Sequence, residues 1–419
     1  MGMILKKVRG VLEEYSIELM VGMYLLYSLY INRAGAIYGY VNAWYVINYS
    51  YGFGSRLLIG SLINLLTGGF VTGTFAYNFV LCALCLICIL LSFVIGRVYK
   101  KMPDRSSKAA VLFLTVFYLM SPASPEYLWT WENMGRLDTY LLLLSLAAVI
   151  MFFAVRDRRW RYPLFAGIGC LCILIHQVYV FLFFPLMLVM MIEDIWSSDR
   201  KRWAISGSIL VSALVGIVFI IMQFQSGIYY DDLELLMEEL GAHADFLVDA
   251  GLMEAEYFWT IVENFTRNMV PEIPHHLKYG FMLVCMLCPV WGTYLWIWIH
   301  AIRSREKKSD KAKYILMLMT NMAFVPVFAL MNDWGRWFAA LFIVGFLEIL
   351  VLAWKQDEGI RSSLRILGGS IMKNPALYIL LILYISTFEK FEGLNFPDQV
   401  TAFYHTTYDI KCWLLGLFQ

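Results

Sequence analysis

The strongest constraint in this sequence is the recurrence of apolar runs long enough to cross a lipid bilayer. No charged side chain occurs from Phe75 to Gly96, nor from Trp203 to Phe224. A spanning helix needs about 20 such residues. A soluble chain turns most of its Lys, Arg, Asp and Glu to water. Here only 16% of the 419 residues are charged and 60% are apolar, too little charge for a solvated shell. The solvent implied is lipid. The formal net charge of +1 provides no basic surface for nucleic acid, and no such partner is expected.

Apolar runs near 16–32, 75–97, 109–121, 139–155, 162–176, 178–196, 203–224, 279–300, 313–331, 337–354 and 375–388 predict an all-α, polytopic integral membrane protein. They amount to about eleven transmembrane helices, within a range of ten to twelve. Segments 6–9, 97–108, 156–161, 200–202, 303–313 and 355–373 hold 25 of the 33 Lys and Arg. With this topology every second connection is basic and the others are not. The positive-inside rule then places the N-terminus and these six segments in the cytoplasm and the C-terminal tail outside. A multi-pass protein of the cell membrane follows.

Two stretches depart from simple spans. Residues 162–196 would extend roughly 50 Å as one helix, so they are read as a hairpin turning near His176, with Pro185 in the returning arm. Residues 54–66, flanked by Gly52, Gly54, Gly68 and Gly69, fit a short re-entrant or interfacial helix. The whole chain, 1–419, forms one membrane domain. Its largest soluble excursion is 225–278, an acidic extracytoplasmic loop with eleven Asp or Glu against Arg267 and Lys278. Cys82, Cys85 and Cys88, like Cys285 and Cys288, stand at helical spacing in apolar sequence, where they serve packing. Asp231-Asp232 is an acidic helix start and His275-His276 a loop pair. No metal and no cofactor are expected.

Only eight basic residues fall on the outer side, and three stand at the mouths of helices beside glycine and aromatic residues. Arg56 lies in Tyr51-Gly-Phe-Gly-Ser-Arg56, Arg136 in Trp131-Glu-Asn-Met-Gly-Arg136-Leu-Asp138, and Arg336 in Asn332-Asp-Trp-Gly-Arg336-Trp337. The hairpin brings His176 to the same depth. Charges at a membrane edge are costly and are paired or functional. Arginine presents a planar fork suited to phosphate or carboxylate. Arg56, Arg136, Arg336 and Glu132 are therefore the expected phosphate- and substrate-binding residues, the arginines for an anionic headgroup. Asp138, Asp333 and His176 are the expected catalytic groups. Simpler roles are available: Asp138 as a helix cap, Asp333–Arg336 as a helix-entry pair, Arg56 snorkelling to lipid, and Trp44, Tyr45, Tyr49 and Tyr51 as interface anchors.

With these residues in place, the chain resembles bacterial polytopic glycan-assembly proteins. These include the O-antigen-type polymerases and ligases and the GT-C-type glycosyltransferases. The likeness lies in many spans, one larger external loop, and external Arg, Asp and His at helix ends. GT-C enzymes usually carry a catalytic carboxylate in the first external loop, whereas residues 33–74 hold no Asp or Glu. The resemblance implies an enzyme of cell-surface polysaccharide assembly. It would transfer or polymerise sugars from a polyprenyl-(pyro)phosphate-linked saccharide drawn from the membrane lipid. A transporter or flippase of lipid-linked glycan, and a non-catalytic scaffold, are the alternatives. Glu348, an acid inside the tenth span, is the feature that suits a transporter.

Overall fold

Inside lipid every backbone N–H and C=O needs an internal partner, so apolar sequence of this kind settles into helices. A computed structural model describes residues 14–155, 157–259, 261–271, 273–330 and 333–391, with Gly416. The basic run 6–9, Arg156, Asn332 and the C-terminal tail with Lys411 lie outside the described residues. The first half contains α1 (Ser16–Asn32), α2 (Leu57–Thr67), α3 (Gly73–Lys101), α4 (Arg105–Met120), α5 (Asp138–Ala154), α6 (Arg158–Ile175), α7 (Tyr179–Leu182) and α8 (Phe184–Trp196). Then come α9 (Lys201–Phe224), α10 (Leu233–Ala242), α11 (Ala250–Met253), α12 (Ile261–Asn264) and α13 (Ile273–Met286). The chain continues with α14 (Cys288–Arg303), α15 (Lys308–Thr320), α16 (Val325–Leu330), α17 (Trp334–Trp354), α18 (Glu358–Lys373) and α19 (Pro375–Ser386). The described chain is all-α apart from a two-residue ladder of β1 (Gly52–Phe53) with β2 (Gly227–Ile228).

Among the described residues, four segments are long and apolar enough to cross a membrane: α3, Arg105–Trp129, α9 and α17. The pair Gly280–Met286 with α14 bends by 66° and the pair α18 with α19 by 101°, giving up to six if each pair is one span. These helices suggest a membrane protein. The expected eleven spans are corrected to four to six, because many apolar runs are shorter or broken. At 17 residues each, α1 and α5 extend about 26 Å, short of a hydrocarbon core about 30 Å thick. The run 313–331 is split by a 3₁₀ turn at Asn321–Phe324. Pro326 follows the turn and lacks an N–H to continue the ladder.

Residues 162–196 do form a hairpin. The helix stops at Ile175, His176 is extended (φ −162°), and the chain returns through α7 and α8, with Pro185 in the opening turn of α8. Its closure is a buried ion pair at the far end, where Arg161 Nη1 meets Asp194 Oδ1 at 2.6 Å. Tyr162 Oη donates to Asp194 Oδ2 at 2.9 Å. The first and last turns of the hairpin therefore lie on one side of the molecule. Helix α17 runs through the centre, its apolar stretch 83% buried, whereas α9 is only 22% buried and lines the periphery.

The acidic segment is stitched down, not free. Beyond the β ladder, Val71 N donates to His243 O at 2.8 Å and Asn42 Nδ2 to Leu247 O at 2.6 Å. Asp245 accepts from Gly73 N at 2.6 Å. The segment thus roofs the first loop, whose helix α2 approaches so closely that a Cβ on Gly60 would lie 1.8 Å from Ile47 O. Gly68 and Gly69 have φ of +70° and +103°, the left-handed turn that ends α2.

The hairpin clamp makes a testable case. Asp194→Ala leaves Arg161 buried without its counter-ion and should destabilise the protein by about 3–5 kcal/mol. Replacing both, Arg161→Met with Asp194→Leu, should recover most of that in thermal unfolding in detergent. Equal stability of Asp194→Ala and wild type would remove the clamp from the account.

Candidate functional site

The N-terminal ends of α5 and α17 carry acid and base placed to meet. Asp138 occupies the first turn of α5 and Arg336 the first turn of α17. Asp138 caps nothing. Its two oxygens instead accept from Arg336, Nε to Oδ2 at 2.8 Å and Nη2 to Oδ1 at 3.0 Å. The third nitrogen, Nη1, donates to Asp333 Oδ2. Both Asp138 and Arg336 are buried. This planar fork on a carboxylate is the arrangement that arginine makes and lysine does not.

Arg136 is delivered by a tight turn. Gly135 has φ +94°, a Cβ there would lie 2.6 Å from Ile37, and its carbonyl accepts from Tyr45 Oη at 2.7 Å. The first loop is bonded along this turn, Ala34 N to Trp129 O at 2.9 Å and Tyr38 N to Met134 O at 3.0 Å. Arg136 Nε donates to the Glu132 backbone carbonyl at 2.8 Å, and Nη1 stands 3.7 Å from Asp333 Oδ2. The guanidinium lies 5.9 Å from the Tyr38 ring. Its Nη2 is buried with no hydrogen-bond partner. Burial, then the nearby Arg336, pulls the Arg136 pKa below its ordinary value.

Arg56 reaches the same region from α2. Ser55 Oγ donates to Ile173 O at 2.8 Å and Arg56 N to Leu174 O at 2.9 Å, seating the start of α2 on the end of α6. Arg56 has φ +76°, uncommon for a non-glycine residue. Its Nε donates to His176 Nδ1 at 3.4 Å, its guanidinium lies 5.3 Å from the Trp44 ring, and its Nη1 pairs with Glu256. Burial pushes its pKa down to about 10, so it remains cationic at neutral pH. Arg56, Arg136 and Arg336 all lie within electrostatic reach of buried His176.

The structure therefore gathers Arg56, Arg136, Arg336, Asp138, Asp333 and His176 from four separate parts of the chain. Glu132 contributes its carbonyl to Arg136, with its side chain half-buried at the rim. The geometry also separates their chemistry. Asp138 spends both oxygens on Arg336, and His176 accepts on Nδ1. Asp333 is the most open of the three, 18% exposed against 2% for the Asp138 side chain. Among the described residues no group of three or more His, Cys, Asp or Glu is placed to hold a metal ion.

Sequence reasoning missed Glu256 and Tyr257. Glu256 is one acid among eleven in its loop, and only its fold-back onto Arg56 distinguishes it. Tyr257 Oη is buried without a partner, and its ring packs edge-on against Trp44 at 6.4 Å. The tryptophan and tyrosines read as interface anchors are instead interior: Trp44, Tyr45 and Tyr51 are buried and Tyr49 is half-buried. No family model matches the sequence, and neither does any curated protein or solved structure.

The two inner arginines should respond differently to lysine. Arg336→Lys loses the fork on Asp138 and should cost about 1.5–3 kcal/mol of stability, the scale of a charge-assisted hydrogen bond. Arg136→Lys loses one longer ion-pair contact and a bond to a carbonyl, and should cost about 0.5–1.5 kcal/mol. Thermal melts of the two purified variants check the order, and the reverse order would overturn the assignment of Arg336 as the organiser.

Proposed function

We propose that this chain is an integral membrane enzyme of cell-surface polysaccharide assembly. It transfers or polymerises sugars from a polyprenyl-(pyro)phosphate-linked donor on the extracytoplasmic face. The observation that carries this reading is the buried Arg136 Nη2, a cationic donor with no partner, beside two further guanidiniums. A buried donor left unmade is expensive, and an anion of the ligand would answer it.

In this reading Arg336 and Asp138 hold the frame while Arg136 and Arg56 receive the phosphates. Glu256 occupies Arg56 until the pyrophosphate displaces it. The acceptor hydroxyl attacks the anomeric carbon, the bond from that carbon to the phosphate oxygen breaks, and the hydroxyl proton passes to Asp333. The negative charge that grows on the departing pyrophosphate is met by Arg136 and Arg56. His176 orients Arg56 through Nδ1. Tyr38, Tyr257 and Trp44 furnish the aromatic walls that suit sugar faces.

The reading requires the cluster to face away from the cytoplasm, as the basic residues paired at the opposite end, Arg161, Lys313 and Arg305, support. Single cysteines at positions 131, 235 and 247, in a cysteine-free variant, should react with an impermeant thiol reagent in intact cells. Positions 200 and 309 should not. All five residues are exposed in the fold, so burial does not confound the comparison. The inverse labelling pattern would put the cluster on the cytoplasmic side and end this proposal.

A transporter or flippase of lipid-linked glycan is the second reading, favoured by Glu348, an acid fully buried inside α17. One experiment separates the two. Arg136→Lys, expressed at wild-type level, should lose function by roughly 30- to 1,000-fold, the range for a charge-assisted contact made in the transition state. Glu256→Gln should keep it. Lipid-linked saccharide accumulating on the outer leaflet of the Arg136→Lys strain supports the enzyme. Accumulation on the inner leaflet supports the flippase, and full complementation removes the anion site from both.

A further inference from the structure

Away from the outer cluster, α17 carries Glu348 at 0% exposure, roughly 9 Å from the helix's cytoplasmic end at 1.5 Å per residue. Facing it is the helix break between α15 and α16. Asn321 opens the 3₁₀ turn there and donates from Nδ2 to Glu348 Oε2 at 3.0 Å. The other two oxygens of this acid and amide, Glu348 Oε1 and Asn321 Oδ1, are both buried and both lack a hydrogen-bond partner. With Glu348 ionised, both are acceptors without a donor, in an interior where such groups are ordinarily satisfied. Turning the amide over exchanges which oxygens meet and leaves the same shortage, one hydrogen.

Among the described residues no cation pairs with Glu348, whose hydrogen-bond partner is Asn321. Tyr118 on α4 stacks on Phe346 at 4.5 Å, and Tyr294 on α14 packs beside Gly345; both are neutral phenols. Three charged groups on the neighbouring helices pair elsewhere, and Arg97 of α3 lies over the Tyr15 and Phe93 rings. Lys313 of α15 binds Glu193 of α8 and Asp357, Asp194 of α8 binds Arg161, and Lys100 of α3 binds Glu18.

We infer that Glu348 and Asn321 form a proton-binding site, with Glu348 held as a neutral carboxylic acid whose Oε1–H donates to Asn321 Oδ1. The acid and the amide then close a ring of two hydrogen bonds, a pairing complete in itself. The break at Asn321–Phe324 is what allows it. In an unbroken helix the amide would compete for the backbone of its own turn, whereas here it is turned toward α17. A carboxyl inside a spanning helix, beside a discontinuous helix, is the setting in which membrane proteins take up protons or cations. The ligand assigned is the proton.

Infrared difference spectroscopy on the full-length protein in lipid nanodiscs tests this. At pH 7 the wild type should show a protonated-carboxyl C=O stretch that shifts in D₂O and is absent from Glu348→Gln. In Asn321→Ala the same band should move to higher wavenumber, because its O–H has lost the amide acceptor. A carboxylate stretch assigned to Glu348, or the absence of any carboxyl band distinguishing wild type from Glu348→Gln, overturns the site. Thermal stability that rises with Na⁺ over choline in wild type but not in Glu348→Gln also overturns it, by replacing the proton with a metal cation. If Glu348→Gln does not fold, the Asn321→Ala shift decides alone, and an unmoved band is negative.

Discussion

The bidentate contact between Arg336 and Asp138 is the interaction on which this half of the molecule depends. It joins the first turns of two apolar helices whose residues stand 198 positions apart. Neither helix could place a charge there alone, since an isolated ion in a buried, low-dielectric setting is strongly disfavoured. Together they form a neutral, geometrically demanding unit. Asp333, three residues before Arg336, then extends the unit to Arg136. Arg136 is in turn aimed by the Gly135 turn, and that turn is bonded to the first loop. One ion pair therefore sets the register of α5, α17 and the loop over them.

Much of this was legible in the sequence, and the reason is thermodynamic cost. Basic residues on the outer side of a membrane protein are few, and those at helix mouths beside glycine and aromatics are fewer. Arg56, Arg136 and Arg336 stood out because composition made them exceptions, and the fold sets Arg56 on His176 and the other two on Asp333. The hairpin over 162–196 was legible because its length exceeds any bilayer and both flanks are basic. Its clamp, Arg161 with Asp194, was not read, because each residue looks like ordinary cytoplasmic charge.

What failed to show were interruptions and fold-backs. Hydropathy sums over a window, so a 3₁₀ turn such as Asn321–Phe324 inside an apolar run leaves the sum unchanged while breaking the helix. That is how eleven runs become four to six segments capable of crossing. Glu256 was invisible for the opposite reason. A surface rich in acids offers many equivalent partners for Arg56, and only the stitching at Val71, Gly73 and Asn42 decides which one arrives. The tyrosines of the first loop read as interface anchors because amphipathic rings suit that position. The acidic segment lies over them instead and puts most of them inside.

The two ends of the molecule use buried charge in different ways. At the basic end Asp194 is satisfied by Arg161 and Tyr162. Lys313 lies between Glu193 at 2.5 Å and Asp357 at 2.6 Å, and Asp357 also accepts from Tyr314 Oη at 2.7 Å. Networks in which one charged group bridges several partners lose energy if any member moves, which makes them rigid. At the opposite end Arg136 keeps an unused nitrogen, Tyr257 an unused hydroxyl, and Arg56 a single carboxylate from a separate segment. A site with unmet donors beside a displaceable acid gains by admitting an anion. The basic-end pairs tie those helix ends together, so under the proposed function an exchange of anions at Arg136 and Arg56 would proceed against a frame that does not follow it.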